Sequence, residues 1–181
     1  METISKVIQN EAGTIKIHGI QTGKLAIKKG ALTSKNPGTL STLWSFRGKA
    51  FGEWLPVWAW VIEHPKGNFL IDTGLSTDVL QPHYFKKLDF ISKYYFEKQM
   101  KFEIEEKAEI HQQLKQIGIG VEAIDQIILT HLHIDHTGGL KHFSGVEVLV
   151  NEREWKTMDG SFPKLFPSNL NLKKVRLADE F

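Results

Sequence analysis

Between the apolar run Ile127-Ile128-Leu129 and the paired glycines Gly138-Gly139, the chain reads Thr130-His131-Leu132-His133-Ile134-Asp135-His136-Thr137. Three imidazoles and a carboxylate crowded at the end of a strand constrain the fold sharply. The strand must deliver them to one edge of a sheet, and a ligand must satisfy polar groups that rarely crowd such a place without one. In extended backbone, residues two apart share a side, so His131, His133 and Asp135 converge. Gly138-Gly139 then permit a tight bend near Asp135, which leaves His136 facing a neighbouring point. Two ligand pairs result, His131 with His133 and Asp135 with His136. Each can hold half the shell of one of two metals about 3.5–4 Å apart. Nitrogen and carboxylate donors without sulfur suit Zn²⁺ best, with Fe, Mn or Co as substitutes.

The rest of the chain is compatible with such a centre and excludes several alternatives. At 181 residues there is material for one domain with a real core. A net charge of +2 with lysine and glutamate intermixed argues against a nucleic-acid binder, which would show a basic stripe. No apolar run is long enough to span a bilayer, so no membrane partner is expected. The N-terminus lacks the basic and apolar regions of a signal peptide, which predicts a cytoplasmic protein. The absence of cysteine removes both disulfides and thiolate ligands.

Alternation at Ile15 and Ile17 predicts a half-buried strand. Val57 to Ile62 predicts another, which turns at His64-Pro65-Lys66-Gly67 with type I signature and returns as Phe69-Leu70-Ile71. That hairpin ends at Asp72-Thr73-Gly74, where Asp72 either orients a metal-bound histidine from behind or makes an Asx turn. Residues 76–103 interleave aromatics with lysines. They fit inward-packed helix or loop, a mobile flap lining an apolar substrate pocket, or a surface that meets a partner or a membrane. Ile104, Ala108, Leu114 and Ile117 predict one amphipathic helix over 104–117, stopped by Gly118. Strands over 126–130 and 146–150 and a short helix near 152–158 complete a mixed α/β layout. His111 reads as a surface residue, and His18, His64, His83 and His142 as solvated or satisfied singly. Trp58 and Trp60 read as core residues, with a role in shaping an acyl pocket as the alternative.

The motif His-x-His-x-Asp-His-x-Gly-Gly after an apolar strand resembles the signature of the metallo-β-lactamase superfamily, an αββα sandwich. Asn68 to Gly74 is similar to that family's strand ending in Asp-Thr-Gly. Leu55-Pro56-Val57-Trp58, and Val150-Asn151-Glu152-Arg153-Glu154-Trp155 after the motif, resemble the N-acyl homoserine lactonase branch. The likeness extends over residues 15–175, with 1–181 read as one domain.

The resemblance implies a zinc-dependent hydrolase of lactones or related esters, of the quorum-quenching kind, with two zinc ions per complete site. It implies that His131, His133, Asp135 and His136 are ligands and that Asp72 supports them. A hydroxide formed at the metals would attack the carbonyl, and Asp135 would also relay a proton to the leaving group. Alternatives are a glyoxalase II-like thioesterase, or a remnant that binds metal weakly and catalyses nothing. Family members run longer, and their second half supplies a third histidine, a bridging carboxylate and a last histidine. No histidine follows His142 here, and Asp159, Asp179 and Glu180 lack the family's Thr-Pro-Gly-His type of context. The expectation is therefore the N-terminal half to two-thirds of the sandwich, with an incomplete ligand set and doubtful activity. Such a half leaves an apolar sheet face open, which predicts poor solubility, a homodimer or a continuation of the chain.

Overall fold

The computed structural model describes residues 2–11, 13–32, 50–158 and 161–176, with the side chains of residues 31 and 32 left aside. Strands β1 (Thr3–Asn10) and β2 (Gly13–Ile27) form an antiparallel hairpin, and β2 continues beyond it as a 15-residue strand. The second half of β2 is buried, and its register slips between Gln21 and Gly23. There Thr22, fully buried, accepts the amide of Leu75 at 3.2 Å. The bulge thus brings the β2 backbone to the loop that carries Asp72.

The hairpin expected over 57–71 is β3 (Leu55–His64) and β4 (Gly67–Ile71), paired from His64–Gly67 to Trp60–Ile71. Next come α2 (Phe90–Gln99), preceded in the chain by the short α1 (Lys29–Leu32), and then β5 (Met100–Glu103) and α3 (Ile110–Gln116). They are followed by β6 (Gln126–Leu129), α4 (Ile134–Thr137), β7 (Glu147–Asn151), α5 (Glu152–Thr157) and β8 (Asn171–Val175). The described strands make one sheet in the order β1-β2-β3-β4-β6-β7-β8, with β5 beside the second half of β2. Pairing is antiparallel as far as β4 and parallel from β4 to β8. The carboxyl ends of β4 and β6 are therefore neighbours, and each feeds a loop on the same edge of the sheet.

Two apolar clusters cover one side of the sheet. The first joins Val61, Leu70, Ile127 and Val148 to Ile110 and Leu114 of α3. The second joins Leu25 and Val57 to Phe85, Phe96, Ile104 and Ala108. That division corrects the single helix expected over 104–117. Ile104 and Ala108 face the second cluster while Ile110 and Leu114 face the first, so the chain must reorient between them. It does so with a 3₁₀ turn at Glu106–Ala108 and an extended Glu109. Gly118, at φ +81°, ends α3 as expected.

Residues 76–103 fit the inward-packed expectation in part. Phe85 and Phe96 stack at 5.0 Å inside the second cluster, whereas Phe90 and Ile91 are exposed. On the opposite sheet face, Ile62, Phe69, Ile71, Ile128 and Leu149 are only half-buried and belong to neither cluster. Trp58 and Trp60 lie there too, their rings 6.1 Å apart. Period-two alternation, which buries Val57, Ala59 and Val61, turns both tryptophans away from the core expected for them.

Candidate metal centre

The motif begins where β6 ends. Extended backbone lasts only to His133 (ψ 156°), and α4 starts at Ile134, one turn earlier than a bend at the glycines would require. Asp135 and His136 thus lie on a helical turn, with the His136 amide donating to the His133 carbonyl at 3.0 Å. Gly138-Gly139 do not make the bend. Gly138 has helical angles (φ −60°, ψ −34°), and a Cβ there would stand 2.8 Å from the Gly74 carbonyl oxygen. A Cβ on Gly139 would strike the Thr73 carbonyl oxygen. Both glycines are small so that α4 and the 3₁₀ turn after it, Gly138–His142, can press on the Asp72–Gly74 loop.

That contact draws the four motif residues into one group rather than two separate pairs. The His131 ring centroid lies 4.6 Å from that of His133 and 3.8 Å from that of His136. His136 Nε2 is 3.3 Å from Asp135 Oδ2. His131 therefore belongs as much with His136 as with His133, because the helical turn folds His136 back over it.

Asp72 organises the group from beneath. It is 5% exposed and its φ is +58°, a conformation Asp tolerates better than most side chains. Its Oδ1 accepts the Thr130 amide at 2.8 Å, and its Oδ2 accepts the Thr130 hydroxyl at 2.7 Å and His136 Nδ1 at 2.8 Å. Because the Thr130 hydroxyl donates to Asp72, it can only accept from His131 Nδ1, 3.0 Å away. Both His131 and His136 therefore carry a proton on Nδ1, which leaves Nε2 as the atom a metal would take; on His136 the metal would displace the proton that Nε2 shares with Asp135. Thr73 adds a second tie: its amide and hydroxyl donate to the His136 carbonyl at 2.8 and 2.9 Å. Thr73 and Thr130 were not among the candidate site residues of the sequence. Their signal was the place of each beside a candidate ligand or support.

Electrostatics favours a cation here. Burial disfavours the charged His136, yet hydrogen bonds and charges from Asp135 and Asp72 outweigh it and carry the imidazole up to about 9. Burial raises Asp135, but the hydrogen bond from His136 prevails and holds it below the ordinary range. His131 is lowered by burial and then by the charges of His136 and His133. Oriented Nε2 atoms and an ionised carboxylate make a donor set that fits Zn²⁺. The later carboxylates Asp159, Asp179 and Glu180 lie outside the described residues.

Beside this group an apolar cavity of about 410 Å³ opens. Leu25, Leu55, Tyr95, Phe96, Met100 and Phe162 form its walls, with His133 and Asp135 at one side. Trp58 and Trp60 are not among its lining residues.

A second polar cluster lies where none was expected. Glu109, His111 and His142 bring their ligand atoms within 4.8 Å of one another. His111 is neither solvated nor alone: its ring stacks on His142 with centroids 3.7 Å apart. Burial pushes Glu109 up, but hydrogen bonds from His142 and Thr77 and the charge of Lys141 prevail and hold its carboxyl at about 2. His18 fits its expected role, buried and hydrogen-bonded to Ser5 and Glu63 at 2.8 Å each.

Residues 52–165 match the Metallo-beta-lactamase superfamily, and the chain belongs to it. An N-acyl homoserine lactonase of Bacillus sp is 30% identical over 124 residues, 67% of this chain and 48% of the relative. One from Bacillus cereus is 26% identical over 142 residues, 78% of this chain and 50% of the relative. The chain thus spans about half the length of the curated relatives it matches. Its fold is that of an N-acyl homoserine lactone hydrolase solved with the product N-hexanoyl-L-homoserine at a catalytic metal center. The TM-score is 0.64 at 22% identity, covering 88% of this chain and 59% of that one.

Proposed function

We propose that the protein is a metal-dependent hydrolase of lactones of the N-acyl homoserine lactone kind, with zinc held by His131, His133, Asp135 and His136. The observation that carries this reading is the apolar cavity against His133 and Asp135, beside ligand atoms oriented by Asp72 and Thr130. When bound, zinc would supply Lewis acidity and a lowered pKa for water. The protein's own residues do the rest. Asp72 and Thr130 hold the two imidazoles in one tautomer. Asp135, ionised and at the cavity wall, would first take a proton from the attacking water and then hand it to the leaving alkoxide. Leu25, Leu55, Tyr95, Phe96, Met100 and Phe162 offer an acyl chain a place out of water.

Among the described residues the lining contains no lysine or arginine, so the charged peptide of a glutathione thioester would find no counter-charge from them. That favours the lactone over the thioesterase reading. No helix among the described residues is long and apolar enough to cross a membrane. Together with the lack of cysteine, this fits a cytoplasmic location. The half-buried face around Ile62, Ile71 and Ile128 fits a homodimer, which sedimentation velocity would reveal.

The test is zinc content after dialysis, together with turnover of N-hexanoyl homoserine lactone and of a glutathione thioester. We expect retained zinc, lactone turnover, and a drop in both for His133→Ala. Unchanged zinc in His133→Ala would overturn the ligand set. A zinc-loaded protein without lactone turnover would overturn the substrate class.

A further inference from the structure

We propose that Glu109, His111 and His142 form a second binding site for a divalent transition cation such as Zn²⁺, separate from the motif. Glu109 and His111 are two residues apart, and folding brings the distant His142 to them. Glu109 caps α3, His111 lies in the first turn of that helix, and His142 ends the 3₁₀ turn Gly138–His142.

The geometry is close to what one ion needs. Glu109 Oε2 lies 2.6 Å from His142 Nε2 and 3.7 Å from His111 Nδ1. Nitrogen and oxygen ligands about 2.0–2.1 Å from a tetrahedral zinc are roughly 3.3 Å from each other. Both carboxylate–imidazole separations lie within about 0.7 Å of that spacing, and all three ligand atoms fall within 4.8 Å of one another, so side-chain movement alone would admit the ion. Two imidazoles and a carboxylate are a recognised zinc donor set that leaves a fourth position open.

Two further observations point to a ligand rather than to a hydrogen-bond network complete in itself. His111 Nδ1 is buried and has no hydrogen-bond partner among the described residues, which is costly for an imidazole nitrogen that could otherwise face water. Glu109 is oriented as an outer support would orient a ligand. Its Oε1 accepts the Thr77 amide at 2.8 Å and the Thr77 hydroxyl at 2.5 Å, which leaves Oε2 to face both imidazoles. Lys141 stands 3.8 Å from Oε2, but Asp78 holds its ammonium more closely, at 2.9 Å, and can keep it when a cation enters.

Binding replaces the His142 Nε2 proton, now shared with Glu109, by the metal; the ring then carries its single proton on Nδ1, and only a doubly protonated ring releases a proton to solvent. The ion would join α3 to the turn that follows Asp135 and His136, and through Thr77 to the loop after Gly74. The site does not depend on the hydrolase reading.

The experiment is elemental analysis of zinc per chain after dialysis against buffered zinc, for the unaltered protein, His111→Gln, His142→Gln and His133→Ala. His142→Gln can still donate a hydrogen bond to Glu109, and His111→Gln alters a residue with no such bond, so folding is checked by far-UV circular dichroism. We expect each glutamine variant to hold one zinc fewer per chain than the unaltered protein. Zinc added to His133→Ala should raise its melting temperature, and should not do so for His133→Ala/His111→Gln. Equal zinc in the unaltered protein and both glutamine variants would overturn the proposal, as would an equal thermal response in the last pair.

Discussion

Two histidine clusters flank the short stretch from Ile134 to His142, and they are built in opposite ways. In the motif, four candidate ligands lie within six consecutive residues, and only their support, Asp72, comes from another strand. In the other cluster Glu109 and His111 start one helix, His142 comes from a distant turn, and the support, Thr77, lies 32 residues from Glu109. The motif is partly exposed and borders a cavity, whereas the Glu109 carboxylate is 3% exposed and borders none of the cavities described. The difference teaches that chemistry meant for a substrate sits where parallel strands end. A ligand set of similar composition can equally arise under a helix, where it holds elements together.

The most forceful way to break the comparison is to push the two loops apart. Gly139→Ala places a methyl against the Thr73 carbonyl oxygen and the Ile110 side chain. Backbone cannot yield as a flexible side chain would, so we expect a loss of about 3 kcal/mol, at the upper end for overpacking. Chemical denaturation measures it, and a variant as stable as the unaltered protein would show that the packing of the turn on the Asp72 loop is not tight. Because His142 lies at the end of the same turn, zinc should fall at both clusters.

A narrower cut separates them. Asp72→Asn keeps the shape and tolerates the positive φ, but it replaces an ionised acceptor of three hydrogen bonds. We expect a loss of about 2 kcal/mol and a fall of roughly 10–100-fold in zinc affinity at the motif. Titration with zinc in a His111→Gln background reads the motif by itself. Unchanged affinity there would reduce Asp72 to a residue that shapes its loop.

Much of this was legible in the chain and some was not. The motif and the hairpin could be read because each rests on neighbours in sequence: alternation, a turn signature, ligands two residues apart. Asp72, whose partners lie 58 and 64 positions away, left two readings open. The bend could not be placed, since Gly138-Gly139 look alike whether they break a strand or admit a close backbone. Their role depends on Thr73 and Gly74, more than 60 residues away. The expected helix over 104–117 failed because periodicity records that residues are buried and not which cluster buries them. His111 and His142 read singly for a related reason: His142 lies far along the chain from both Glu109 and His111, and nothing local links it to them.

A third histidine provides the control that both clusters need, because it is buried and fully satisfied. His18 bonds Ser5 through Nδ1 and Glu63 through Nε2, which leaves it no atom for a cation. The hydrogen bond from His18 is the leading reason that Glu63 titrates below its ordinary value of 4.5; burial opposes it, and Lys16 adds to the lowering. A carboxyl depressed by folding contributes stability above its unfolded value, and that contribution disappears as pH falls through the folded value. Glu63→Gln should therefore cost roughly 0.5 kcal/mol near neutrality, the scale of a partly exposed pair. The difference from the unaltered protein should shrink below pH 4.5 and leave zinc content untouched. Denaturant midpoints measured between pH 3 and pH 7 would show it. A difference that persisted at the acid end would mean that Glu63 acts by packing rather than by charge. A change in zinc would mean that the antiparallel half of the sheet and the two clusters are not independent.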